Sequence, residues 1–205
     1  MNKKKKIVVL VSGGGTNLQA LIDAQARGEL GSGEISCVIS SKADAYALTR
    51  AEKNGIKTRV LPRAEYSDSA AYSLAMRDAL LAEGADVIVY AGFMTILDAS
   101  VCDTFAGRMI NVHPALIPSF CGKGFYGLKV HEAALAAGVK VTGATVHLVN
   151  EIPDGGKILL QKAVEVLDDD TPERLQRRVM EQAEWKLLPA ALEQVAAARI
   201  KGETL

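Results

Sequence analysis

The chain has 205 residues, 24 basic and 24 acidic side chains and a 49% hydrophobic content. That composition predicts a globular protein with one substantial core and excludes disordered and fibrous classes. The cancelled charge also removes any general attraction to nucleic acid or an anionic membrane, so an anion must be bound locally. Lys3 to Lys6 form a basic run, but no long apolar stretch follows before Ser12, so neither a signal peptide nor a spanning helix is expected. Cys37, Cys102 and Cys121 make an odd count without paired spacing, and the chain reads as cytoplasmic, with Cys37 in the core. His113, His131 and His147 form no tight cluster with cysteine, so no metal site is expected.

In chain order, Ile7–Val11 is an apolar run of strand length, and Leu18, Leu21 and Ile22 then recur at helical spacing until Gly28. Ile35–Ser40 reads as a strand, Ala43–Asn54 as a helix and Thr58–Leu61 as a strand. Tyr72, Met76, Ala79 and Leu80 mark one face of a further helix, and Asp86–Ala91 is another apolar strand. This alternation predicts an open, mostly parallel α/β sheet with helices on both faces. A helix near Leu97–Phe105 and a strand Arg108–Val112 follow, and then a long loop Pro114–Gly127 and a helix Leu128–Ala137. Val141–Val149 and Lys157–Val166 are two β-rich runs joined by a short loop, which suggests an antiparallel addition. Thr171 and Pro172 are a helix start. The last helix is expected to kink or break near Pro189, and the tail from Lys201 to fray. One domain, 1–205, is expected, with halves of about 1–105 and 106–205.

Three motifs suggest chemistry. "VSGGGTNL", Val11–Leu18, joins the first strand to the first helix, where free amides at the positive end of the helix dipole can hold a phosphate at Gly15, Thr16 and Asn17. It lacks the Gly-Lys-Ser/Thr of a P-loop and the third glycine and ribose acid of a dinucleotide fingerprint, so a phosphate monoester suits it better than NAD. "NVHPALIPSF", Asn111–Phe120, sets Asn111 and His113 on one strand face, while Pro114 holds His113 extended. Two such donors can polarise a carbonyl and hold the oxyanion formed when it is attacked. Asp154 in "EIPDGG" is a common turn signal, and it gains a role only if it reaches His113. Ser12 and Ser119 lie in no nucleophile elbow. "CGKGFYG", Cys121–Gly127, reads as a mobile loop or lid; His131 and His147 read as structural, with His147 the nearer to the site, and Trp185 as a core anchor.

These residues together resemble the phosphoribosylglycinamide formyltransferases, the folate-dependent enzymes of purine synthesis. The likeness runs from about Lys6 to Leu192 and rests on "VLVSGGGTNLQALIDA", "VYAGFMTIL", "INVHPALIPSF", "GATVHLVNEIPDGGKILLQ" and "EQAEWKLLPAAL". It implies a Rossmann-like nucleotide-binding sheet whose C-terminal half accepts 10-formyltetrahydrofolate as co-substrate. The amine of glycinamide ribonucleotide would attack the formyl carbon with no metal and no covalent enzyme intermediate. By the same matching Asn111, His113 and Asp154 are the catalytic trio, Gly15, Thr16 and Asn17 hold the substrate phosphate, and Glu184, or alternatively Glu181, holds the ribose. Met94, Thr95, Ile96 and Leu97, with Asn150, Glu151, Ile152 and Pro153, would line the folate pocket; Thr95 stands where many members carry an arginine. The partners implied are two small molecules, with no nucleic acid and no membrane, in a monomer or homodimer. Hydrolysis of the formyl-folate by a related enzyme, formyl transfer to another acceptor, and a noncatalytic nucleotide-binding regulator remain alternatives.

Overall fold

The computed structural model describes residues 3–203. The chain runs β1 (Lys5–Val11), α1 (Thr16–Ala26), β2 (Gly33–Ser40), α2 (Tyr46–Lys53), β3 (Lys57–Val60), α3 (Ser69–Glu83), β4 (Val87–Tyr90), α4 (Ala99–Thr104) and β5 (Met109–His113). It continues through α5 (Leu128–Ala136), β6 (Val141–Leu148), β7 (Ile158–Glu165), α6 (Pro172–Val179) and α7 (Trp185–Lys201). One seven-stranded sheet has the order β3-β2-β1-β4-β5-β6-β7. The first five strands in that order are parallel, and β6 and β7 are each antiparallel to the preceding strand. The expected mostly parallel sheet with an antiparallel addition is what forms.

The sheet is covered on both faces, which is why β1 is apolar at successive positions rather than alternate ones. Ile7, Val9 and Val11 pack with Leu18 and Leu21 of α1, Leu175 and Val179 of α6, and Leu188 and Leu192 of α7. Val8 and Leu10 point the other way, against Tyr72, Met76 and Leu80 of α3 and Val101 of α4; Cys37 lies in this second layer, as expected. Asp68 caps α3 through the Ala71 amide, and Thr171 caps α6 through Arg174 with Pro172 at the first helical position. No helix among the described residues is long and apolar enough to cross a membrane.

Two expectations differ at the C-terminal end. Pro189 lies inside α7 without ending it, and the irregularity is a π-helical stretch, Met180–Glu184, one turn upstream. A proline removes one amide donor, and here the carbonyl it would have served belongs to Trp185, the first residue of α7, where the helical ladder is already interrupted. Gly202, at φ +76°, closes α7 just after Lys201, and the Glu203 amide donates to the Ala198 carbonyl; the rest of the expected frayed tail lies outside the described residues. Trp185 is only half-buried and belongs to neither core layer.

Leu192 is fully buried whereas Leu81 on α3 is 54% exposed. Leu192→Ala should therefore lower the free energy of unfolding by about 2–5 kcal/mol and Leu81→Ala by less than about 0.5 kcal/mol, read from urea denaturation.

Candidate active site

The strand order reverses between β1 and β4, and the loops that leave the carboxyl ends of these two strands open a cleft, the usual ligand position in such sheets. Ser12, just after β1, ties the loops together: its Oγ accepts from the Met94 amide at 3.0 Å and lies 2.7 Å from Ser41 Oγ. The hydroxyl is a strut, which agrees with the absence of a nucleophile elbow.

Beside the cleft, β5 pairs Asn111 with Tyr90 on one edge and with His147 of antiparallel β6 on the other. Ile110 and Val112 enter one core layer and Met109 the other, so alternation turns Asn111 and His113 to the Met109 side, as predicted. His147 Nδ1 lies 2.7 Å from the Leu148 carbonyl, which can only accept, so in the neutral ring Nδ1 carries the proton. His147 Nε2 is then an acceptor, and at 3.2 Å it takes a hydrogen from Asn111 Nδ2. The register of β5 on β6 thus fixes which way the Asn111 amide faces. By the same argument His113 Nε2, 2.8 Å from the Phe120 carbonyl, carries the proton of that ring and leaves Nδ1 bare.

Asp154 reaches both rings. Its Oδ2 lies 3.5 Å from His113 Nδ1 and its Oδ1 3.5 Å from His147 Nε2, with Asn111 Nδ2 3.4 Å from Oδ1. These are electrostatic contacts, longer than a good hydrogen bond; the short bond to the carboxylate, 2.8 Å, comes from the Gly122 amide. The turn that delivers it needs both glycines, since a Cβ on Gly155 would strike Ile152 and one on Gly156 would strike the Leu148 carbonyl. Asp154 itself sits at φ +57°. Burial pushes the Asp154 carboxyl up, but His147, His113 and the Gly122 amide more than offset it, and the group stays below the ordinary carboxylate range. Burial pushes His113 below the ordinary imidazole value, against the opposite pull of Asp154 and the Phe120 carbonyl. At neutral pH the group is therefore an ionised carboxylate facing neutral His113, with lone pairs turned inward and ready to receive a proton.

At the other end of the cleft, α1 begins at Gly15 with no side-chain cap. Glu184, on the π-helical stretch, is 6% exposed and accepts from Asn17 Nδ2 at 2.8 Å. Glu181 instead faces solvent, paired with Arg177 at 2.8 Å, so of the two candidate acids only Glu184 lines the cleft. Thr16 Oγ1 approaches Met180 Sδ at 3.8 Å.

Of the eight residues expected in the folate pocket, Met94, Thr95, Ile96, Leu97, Asn150, Ile152 and Pro153 line one cavity of about 120 Å³ beside Asn111, His147 and Asp154. Glu151 is exposed and does not line it, because Asn150 Oδ1 accepts from the Ile152 amide and turns the chain there. Met94, Ile96 and Ile152 are each more than half exposed around its mouth, an apolar rim suited to a flat ring. Among the described residues no group of three His, Cys, Asp or Glu side chains is arranged to hold a metal ion.

Residues 5–192 match the formyl transferase family. The chain belongs to that family. The chain is 40% identical to the phosphoribosylglycinamide formyltransferase of Haemophilus influenzae over 96% of its own length and 90% of that protein. It is 44% identical to the bovine (Bos taurus) trifunctional purine biosynthetic protein adenosine-3 over 97% of its length, but it spans only 19% of that larger protein. The crystal structure of glycinamide ribonucleotide transformylase 1 from Symbiobacterium toebii superposes with a TM-score of 0.89 at 39% identity, covering 96% of this chain and 89% of that one.

Sequence reasoning placed His147 nearer the site but missed its direct contacts with Asn111 and Asp154, because its partner Asn111 is identified only by the β5–β6 register. Tyr90, at the end of the apolar run Asp86–Ala91, and Phe93, given no part by the sequence, also line the cavity. His131 lines the cleft from α5, fully buried with neither ring nitrogen bonded, and burial drops it to about 4.

Glu184 gives a pH signature. Burial raises its carboxyl to about 7 from an ordinary 4.5, against the lowering effect of Asn17. Between those values the folded state holds a proton that the unfolded state has lost, so stability should fall as pH rises from about 4.5 through about 7 and level off above. Glu184→Gln should remove this dependence and gain about 2–3 kcal/mol relative to the parent between pH 5 and pH 8, as measured by urea denaturation at both values.

Proposed function

We propose that this formyltransferase moves the formyl group of 10-formyltetrahydrofolate onto the amine of glycinamide ribonucleotide, in purine biosynthesis. The observation that carries the reading is the meeting of Asp154 with His113 and His147 beside Asn111, each ring within 3.5 Å of the carboxylate, between a glycine loop and an apolar cavity. The near full-length likeness to an enzyme named for this reaction supports it.

In this reading the amides of Gly15, Thr16 and Asn17 hold the phosphate, and Glu184 accepts from the ribose hydroxyls. Met94 to Leu97 and the Asn150–Pro153 turn take the pterin ring. The amine nitrogen attacks the formyl carbon, and negative charge gathers on the formyl oxygen. Asn111 Nδ2 and His113 Nε2 donate to that oxygen. The Phe120 carbonyl now takes the His113 proton, standing where an oxyanion would stand, so the Pro114–Gly127 segment shifts as the formyl group enters. Phe120, at φ +50°, is a strained point in that segment. Asp154 takes the proton from the amine, directly or through a water, and passes it to N10 as the carbon–N10 bond breaks. Its charge also steadies His113 if that ring protonates.

The chain acts in this proposal as one domain, its first half supplying the phosphate loop and its second the Asn-His-Asp group. It works on small molecules in the cytoplasm, as a monomer or homodimer, with formyl-folate as co-substrate and no metal.

Asn111→Ala and Asp154→Asn should each lower kcat/KM by ~100-fold or more, followed by the absorbance of the deformylated folate. Near-normal turnover in either would overturn that residue's role. Folate product released without the amine would instead favour hydrolysis.

A further inference from the structure

Two carbonyls of the glycine loop are gripped from behind by α2. The Ala47 amide donates to the Gly13 carbonyl at 3.0 Å, and Arg50 Nε donates to the Gly14 carbonyl at 2.8 Å. In a trans peptide the carbonyl and the next amide point in opposite directions. Holding these two oxygens toward α2 therefore turns the Gly14 and Gly15 amides away from it. A Cβ on Gly13 or Gly14 would meet nothing within 4 Å, so those two glycines border open space. Gly15, at φ +73°, would bring a Cβ within 2.7 Å of Ala47 Cβ, which shows how closely α2 backs the loop.

Arg50 is itself well anchored. Its Nη1 donates to Gln19 Oε1 of α1 at 3.1 Å, and its guanidinium lies over the Tyr46 ring at 5.1 Å. The fork spans the loop carbonyl and the helix that the loop opens. Beside the loop, Asn17 is only 9% exposed, lines the cleft and leaves its Oδ1 without a partner, an acceptor that a sugar hydroxyl on the same ligand would satisfy.

We propose that Arg50 is a positioning residue for the phosphate of the amine substrate: by fixing the Gly14 carbonyl it aims the Gly15 amide at the anion. This rests on the reading, given above, that the glycine loop binds that phosphate. Arg50 need not touch the ligand; it keeps the loop preorganised, so the cost of orienting the amides is met before binding.

The test compares the parent with Arg50→Met, using inorganic phosphate as a competitive inhibitor. In the parent, phosphate should compete with the amine substrate and not with the formyl-folate; if it does not compete, the phosphate-loop reading falls and this proposal with it. In Arg50→Met the KM for the amine and the inhibition constant for phosphate should rise together by about tenfold, with kcat within threefold and the KM for formyl-folate unchanged. An unchanged phosphate inhibition constant overturns the role of Arg50. So does an equal loss of formyl-folate binding, which would mark a general structural defect. If Arg50→Met does not fold, Arg50→Gln is read against the same outcomes.

Discussion

Strand β5 has a parallel neighbour on one edge and an antiparallel neighbour on the other, and the site is built on that asymmetry. The parallel edge places the carboxyl end of β5 beside that of β4, where the cleft opens. The antiparallel edge brings β6 back past the same point, so that His147 lies opposite Asn111; β6 ends beside Ile110 and Met109 at the amino end of β5, and the turn that follows folds back so that Asp154 meets His113 and His147. The change of strand direction supplies His147, and the returning turn supplies Asp154.

Within that group the protonation pattern follows from the backbone. Two carbonyls, of Leu148 and Phe120, each claim one ring nitrogen and so select the tautomers of His147 and His113. The remaining nitrogens face one carboxylate, to which the Gly122 amide donates at 2.8 Å and whose charge it supports in spite of burial. A cluster with several acceptors and few protons is tense until a proton arrives, and a reaction that releases one from an attacking amine would relieve it. The same logic gives Phe120 a part, because its carbonyl satisfies a donor that the reaction would later need.

The far end of the cleft works by aim and burial. The glycine loop borders open space at Gly13 and Gly14 and is closed behind by α2, while the π-helical stretch turns Glu184 inward to meet Asn17. Ser12 links this end to the Met94 segment at the mouth of the apolar cavity, so the glycine loop and the cavity share one strut. Formyltransferase membership fits a fold in which both are fixed relative to the β5 end.

Much of this was legible in the chain itself. Apolar runs and helical spacing specified the parallel sheet and its antiparallel addition, because those patterns are set by neighbours a few residues apart. Three glycines before a helix marked the anion loop, and the two-residue period put Asn111 and His113 on one face. The resemblance named Asp154 and the acid pair, but local chemistry could not join Asp154 to His113, distinguish Glu184 from Glu181 or bring His147 to Asn111. Each of those depends on strand register, on which face of a distorted helix turns inward, or on how far a turn reaches, and these are decided only when distant segments pack. Trp185 is the converse case: an aromatic side chain expected in the core lies half-buried at the surface, because the π-helical stretch before it gives the inward position to Glu184.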